Sequence, residues 1–410
     1  MIPLSPLLSL PPNEPVHVFA GPRKRFYFST HSIISVNSNV VVMPDLVSDA
    51  IGVVEGLAVA YMAILAIGLT GYILYRPKRG GVKASNFEIV VVSKADERVR
   101  KSLFETVRYH ARRFGGVTLV VDEESPLLPE LRRLGHVKLV VVPRWYRRDL
   151  VGKGRALNYF IENYVDREKW YVFIDDDNII LDDNFLYEIP YYESRGVFVG
   201  NGVLVPRMGR SKLAYVMDWA RFLDDVTLYR FFTGLLGRPL LGLHGELLIV
   251  KGRVLKEVGF SYRSITEDFR FSVELVKRGY RTWQSSTRVL IKSPNSIADL
   301  IKQRGRWFKG VISDVKHSPL PMKLVVGFRA FFWSLVFTAS WAMLPAVLAA
   351  GVIWFILPAG LYYASAYLYG SYKAGEPVLV FTIPLFGLIE ASARIYGLLA
   401  VRDFVVIDKN

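Results

Sequence analysis

The chain has 410 residues, 51% of them apolar, with 52 Lys and Arg against 37 acids and a net charge of +15. So basic a chain suits an anionic partner, namely nucleic acid, acidic lipid or a phosphorylated substrate. The absence of cysteine excludes disulfides, thiol nucleophiles and thiolate metal sites, and the basic residues form no nucleic-acid recognition motif, so no nucleic acid is expected as a partner.

Residues 1–45 start apolar, carry Pro3, Pro6, Pro11 and Pro12 and lack the basic start of a cleavable leader. They read as an extracytoplasmic segment with a small hairpin over 33–42, turning at Asn37 to Asn39. Residues 46–75 contain an apolar run, Ala50 to Leu74, interrupted by one acid, Glu55. At 1.5 Å per residue that run spans a hydrocarbon core of ~30 Å. Arg76, Lys78, Arg79 and Lys83 follow it, whereas 26–49 have no Lys or Arg, so the part after the span is expected in the cytoplasm.

Residues 84–295 alternate strand-like and helix-like stretches. Strands are expected at Phe87–Val92, Val117–Val121, Val137–Val142, Tyr171–Ile174, Val197–Val205 and Leu247–Val250, with helices at Val99–Phe114 and Gly154–Asn163. That alternation implies an α/β domain with a mainly parallel sheet and ligands at the carboxyl ends of its strands. Residues 296–318 mix Lys302, Arg304, Arg306 and Lys309 with apolar and aromatic side chains and read as an amphipathic helix at a membrane interface, weakened as a helix by Gly305. Residues 319–401 hold two runs of spanning length, 323–344 and 346–368, and a third, Val378–Ala400, in which Glu390 and Arg394 lie four apart and could pair. The expectation is a multi-pass cell-membrane protein with one N-terminal and two or three C-terminal spans, a tail at 402–410 and a cytoplasmic catalytic domain.

The candidate chemistry lies at strand ends. Asp175, Asp176 and Asp177 follow an apolar run, and crowded carboxylates repel one another unless a cation shares them. Hard oxygen ligands suit Mg²⁺ or Mn²⁺, and the D-x-D spacing puts Asp175 and Asp177 on one side of an extended chain. Asp122 follows the second strand, and Thr266-Glu267-Asp268 opens a helix-like run, Phe269–Arg278. Gln303, Arg306 and Trp307 fall in the basic helix. Taken singly, these are also turn acids, a helix cap and an interfacial anchor.

The ordered series D, D-x-D, T-E-D, Q-x-x-R-W resembles the membrane-bound, cellulose-synthase-like family 2 glycosyltransferases over residues ~86–310, and among them the egghead-type β-1,4-mannosyltransferases. The resemblance implies a Rossmann-like GT-A catalytic domain and one displacement with inversion at the sugar. It implies Asp177 and Asp175 as ligands of Mn²⁺ or Mg²⁺, with Asp175 and Asp176 near the nucleotide sugar. Asp122 would meet the base and ribose, and Ser93-Lys94-Ala95 would line the nucleotide pocket. Lys153, in the glycine-rich loop Gly152–Asn158, would reach the diphosphate, as would Gln303 and Arg306. Asp268 would be the base and Glu267 its support, while Trp307 and His244 would face the acceptor. The favoured donor is GDP-mannose and the favoured acceptor a lipid-linked oligosaccharide at the bilayer, in N-glycan assembly. A processive polysaccharide synthase, or a transporter or sensor with a degenerate transferase domain, stays open at this point.

Overall fold

The computed structural model describes residues 62–331 and 353–401, besides Gly56 and Val59. The hairpin expected at 33–42 and the tail at 402–410 lie outside the described residues, as do the start of the first expected span and much of the two at 323–344 and 346–368. Among the described residues no helix is long and apolar enough to cross a membrane. The helix α1, residues 62–74, leads into the α/β domain.

An eight-stranded sheet forms its centre, in the order β3-β2-β1-β4-β7-β6-β8-β5. The strands are β1 (Phe87–Ser93), β2 (Val117–Asp122), β3 (Val137–Val142), β4 (Trp170–Ile174), β5 (Ile179–Ile180), β6 (Val199–Arg207), β7 (Leu248–Lys251) and β8 (Thr282–Lys292). β1, β2, β3 and β4 run parallel, as do β6 and β8, while β7 is antiparallel to both its neighbours and β5 to β8. Val-rich strands buried on both faces suit this arrangement, because the crossover helices cover the sheet on each side. Along β1, Ile89 and Val91 enter one core with Leu103, Val107 and Phe185 of helices α2 (Arg100–Phe114) and α5 (Asn184–Glu193). The alternate residues Val90 and Val92 enter the other, with Phe160 of α4 (Lys153–Tyr164), Leu255 of α7 (Gly252–Val258) and Phe271 of α8 (Glu267–Lys277).

β5 and β8 were not expected as strands. The β8 sequence, Thr-Trp-Gln-Ser-Ser-Thr-Arg-Val-Leu-Ile-Lys, is polar at its centre and hides its strand character. Burial is tolerated there because most of these polar groups are met. Gln284 donates to the Gly202 carbonyl at 2.7 Å, and Thr287 Oγ1 accepts from the Phe185 N–H at 2.7 Å.

The basic helix is α9 (Ile297–Val315), started by Ser296, whose hydroxyl accepts from the Asp299 N–H and donates to the Asp299 carboxylate. It is followed by α10 (Leu320–Phe331), α11 (Ile353–Lys373) and α12 (Ile383–Leu399). α6 (Lys212–Asp224) continues into a π-helical segment, Asp225–Leu235. Leu300 of α9 shares a core with Val216 and Trp219 of α6, Tyr367 of α11 and Phe386 of α12.

The structure revises the reading of this region in two places. Gly305 does not weaken α9: a Cβ there would lie 2.7 Å from the Ala393 carbonyl oxygen, so the missing side chain lets α9 and α12 touch backbone to backbone. Two of the helix's four cations point inward rather than to an interface, since Arg304 pairs with Asp218 at 3.1 Å and Arg306 lines the central cavity. Glu390 pairs with Arg304, and the Arg394 guanidinium lies 4.9 Å over the Phe308 ring.

Candidate active site

A cavity of about 380 Å³ opens at the carboxyl ends of β1, β2 and β4. It gathers Ser93, Lys94, Asp122, Lys153, Asp175 and Asp176. It also gathers Glu267 and Asp268, His244, and Gln303, Arg306 and Trp307 of α9. Side chains scattered over more than 200 positions thus meet, because parallel strands deliver Ser93, Asp122 and Asp175 to one edge and α8 and α9 pack against that edge.

Two of the expected residues lie elsewhere. Ala95 is fully buried at φ +48°, with its N–H on the Ser93 hydroxyl (2.9 Å) and its carbonyl accepting from Ser125 (2.7 Å). It shapes the loop and does not line the cavity. Asp177 is 1% exposed and is likewise absent from the cavity wall. The reason is local: β4 stops at Ile174, and the chain turns with the Asn178 N–H on the Asp175 carbonyl at 3.3 Å. Strand alternation therefore ends before the D-x-D, and adjacent Asp175 and Asp176 are the pair that face the cavity.

Lys153 heads α4 behind Gly152, whose φ of +60° with ψ −141° is open to glycine alone. That sharp entry aims the ammonium at Asp175, with which it forms an ion pair. Burial disfavours its charge, but Asp175, Asp176 and Glu267 outweigh burial and raise its pKa. Asp176 accepts from the Ser93 hydroxyl. Asp122 is bound by Arg155 at 3.0 Å, and burial nevertheless raises its pKa. Among the described residues no group of three His, Cys, Asp or Glu side chains converges on a metal-sized point. Of the acidic triplet, Asp175 and Asp176 line the cavity, two carboxylates of the hard type that Mg²⁺ and Mn²⁺ share with substrate phosphates.

Asp268 is held by backbone donors. Its Oδ2 accepts from the Gly245 N–H at 2.9 Å and its Oδ1 from the Phe269 N–H at 2.8 Å. Burial, then the charge of Glu246, pushes it up to about 6 despite those bonds. Burial and the charge of Asp268 push Glu267 up to about 7. Thr266 precedes them without capping the helix. Its hydroxyl instead sits 3.4 Å from Asp314 of α9, which also accepts from Ser264. A Cβ on Gly310 would lie 2.4 Å from Thr266 Oγ1, so α9 bears directly on the acidic pair.

α9 contributes Gln303, whose buried side-chain oxygen meets no partner among the described residues, and Arg306, whose pKa burial pushes down while Glu267, Asp175 and Asp268 oppose that. A buried unsatisfied amide on a cavity wall marks a place for a ligand hydroxyl or N–H. Trp307 lies under Arg221, 4.6 Å from guanidinium carbon to ring centre. His244 is buried with Nε2 3.0 Å from Asp225 Oδ1, and although burial disfavours its charge, Asp225 raises its pKa.

Sequence reasoning passed over Arg221, Asp225 and Glu246. Arg221 and Glu246 are ion-paired at the cavity, and against burial Arg221 and then His244 hold Glu246 down at about 2. Glu246 stands beside His244 in a loop already of interest, but Arg221 and Asp225 lie on a helix with no motif to flag them.

Comparison with known proteins gives the geometry its family. Residues 170–367 match Glycosyl transferase family group 2. The chain is 26% identical over 364 residues to the β-1,4-mannosyltransferase bre-3 of Caenorhabditis briggsae, covering 80% of this chain and 77% of that one. It is 25% identical over 328 residues to the β-1,4-mannosyltransferase egh of Drosophila melanogaster, covering 71% and 70%. Among solved structures, the mannosyltransferase PcManGT from Pyrobaculum calidifontis, in complex with GDP-Man and Mn²⁺, superposes with a TM-score of 0.51 at 16% identity over 84% of this chain and all of that one, which shows a GT-A-like fold. The chain carries a family 2 glycosyltransferase domain and is a glycosyltransferase.

Proposed function

We propose that the chain transfers mannose from GDP-mannose to the sugar of a lipid-linked glycan, with inversion, on the cytoplasmic side of a membrane and in the early extension of a glycan used for N-glycosylation. The observation that carries the transfer is the single cavity that places Asp268 among the cations Lys153 and Arg306 and the carboxylates Asp175 and Asp176. The acceptor hydroxyl attacks the anomeric carbon, the bond from that carbon to the diphosphate oxygen breaks, and the hydroxyl proton passes to Asp268. Lys153 and Arg306 receive the departing diphosphate, while Asp122, Ser93 and Lys94 hold the nucleoside end. Asp175 and Asp176 would hold a Mn²⁺ or Mg²⁺ ion, which supplies Lewis acidity toward the leaving diphosphate. Lys153, paired with Asp175 in this structure, then turns to the phosphates. Mannose is favoured by the two β-1,4-mannosyltransferase relatives, and a membrane by the apolar stretches.

The test incubates the full chain in detergent micelles with GDP-mannose and two acceptors, dodecyl β-glucoside and a polyprenyl-diphosphate-linked disaccharide. Products are read by mass spectrometry and NMR. One β-linked mannose per acceptor is expected, lost in excess EDTA and restored by Mn²⁺ or Mg²⁺. An α linkage would refute the mechanism, a ladder of long products would favour a processive synthase, and full activity in chelator would sink the metal assignment.

A further inference from the structure

The segment His244-Gly245-Glu246 links Asp268 to Trp307. In its middle, the Gly245 N–H donates to Asp268. The segment itself is fixed: Asn201 accepts from the His244 N–H at 3.1 Å and donates to the His244 carbonyl at 2.8 Å. The Glu246 carbonyl accepts from Asn178 at 3.0 Å, one residue past the acidic turn. The Glu246 side chain leaves this pinned backbone to grip Arg221, and Arg221 covers one face of Trp307. A rigid path therefore runs from the base, through two peptide units and an ion pair, to the indole.

We propose that Arg221, braced by Glu246, is a positioning residue that fixes Trp307 as the platform for the acceptor sugar and keeps that platform in register with Asp268. This rests on the transferase reading above and names a device inside it. A sugar ring packs on an aromatic face only if the face is presented at a constant tilt. Trp307 sits mid-helix on α9, with a side chain that is partly exposed to the cavity and free to rotate about two bonds. The guanidinium limits that freedom from one side, 4.6 Å from the ring centre, leaving the remaining ring surface to the acceptor. Arginine suits the task and lysine does not, because a planar fork can stack on an indole while its N–H groups hold a carboxylate.

The test is a double-mutant cycle on acceptor KM, made with the full chain, GDP-mannose and the same two acceptors. Arg221→Lys keeps a charge for Glu246 and loses the flat stack. Acceptor KM is expected to rise roughly 5- to 30-fold, the range of a desolvated cation–π contact, with GDP-mannose KM and Tm nearly unchanged. Trp307→Ala should raise acceptor KM at least as much, and adding Arg221→Lys to it should then change little, since the arginine acts through the indole. Glu246→Gln should fall on the same side, weakening acceptor use more than GDP-mannose use. Additive effects of Arg221→Lys and Trp307→Ala, or an equal rise in donor and acceptor KM, would overturn the inference while leaving the enzyme a transferase. Failure of the wild-type chain to transfer to either acceptor would overturn the functional reading, and the inference with it.

Discussion

Asp268 and Glu267 are adjacent carboxyls whose protons the fold retains beyond the ordinary carboxylate range, at about 6 and about 7, because burial and neighbouring charge both disfavour ionisation. A base must be ionised to work, so transfer should fall on acidification through about pH 6, well above the range of a free aspartate. A kcat/KM profile measured between about pH 4.5 and 8 checks this, and a flat profile down to about pH 5 would place the base elsewhere. Asp268→Asn keeps the size of the side chain and cannot take the proton. It should cut kcat roughly 10²–10⁴-fold with GDP-mannose affinity little changed, and near wild-type turnover would reduce Asp268 to a structural acid. The same shifts act on stability with a definite sign. Between about pH 4 and the raised values, the folded chain binds more protons than the unfolded one, so these two groups make stability fall as pH rises through that window. Glu267→Gln removes one of them and should flatten the decline in Tm of the metal-free protein. A steeper decline in the mutant would show that Glu267 is stabilised as an anion.

At the scale of elements, α9 ties the acidic pair to the C-terminal helices. It meets the Thr266 loop at Gly310 and α12 at Gly305, both at distances that leave no room for a methyl group. Gly310→Ala should therefore push α9 away from the acidic pair. The expected cost is about 1–3 kcal/mol of stability, from the usual penalty of an overfilled contact. Transfer at a temperature where the mutant is still folded should fall more than GDP-mannose binding does, since Gln303, Arg306 and Trp307 ride on the same helix. Unaltered transfer in a folded mutant would show that Thr266 gives way instead. Much of this element level was legible beforehand. The Val-rich strands announce themselves, as does the order of acids and the basic-aromatic helix. What stayed hidden had physical causes. β8 can be polar in sequence because the Gln284 amide nitrogen finds a carbonyl on β6 and the Thr287 hydroxyl a backbone N–H on α5. Asp177 does not line the cavity because a turn, not a strand, follows Ile174. Arg221 reached the site by helix packing, and pairing at a distance leaves no mark in a local pattern.

The whole molecule carries a charge of +15 and a C-terminal part with large apolar side chains open to solvent: Tyr372, Val378, Phe381 and Leu399 are each at least 70% exposed. Single exposed apolar residues are ordinary, but so many within one stretch that packs against α6 and α9 mark a contact surface. Under the proposed membrane placement, charge and apolar area both draw the chain to a bilayer, and salt separates them. At about 1 M salt the screening length is about 3 Å, so attraction through Lys and Arg is largely lost while burial of apolar area is not. The full chain reconstituted from detergent should therefore float with neutral phosphatidylcholine vesicles at about 1 M NaCl, and anionic lipid should strengthen binding only at low salt. Phe381→Glu should weaken flotation in high salt by roughly tenfold or more, the worth of a buried aromatic side chain. Quantitative release of the wild-type chain by salt alone would show that its hold on the membrane is electrostatic, and that the exposed apolar surface of its C-terminal helices is covered by something other than lipid.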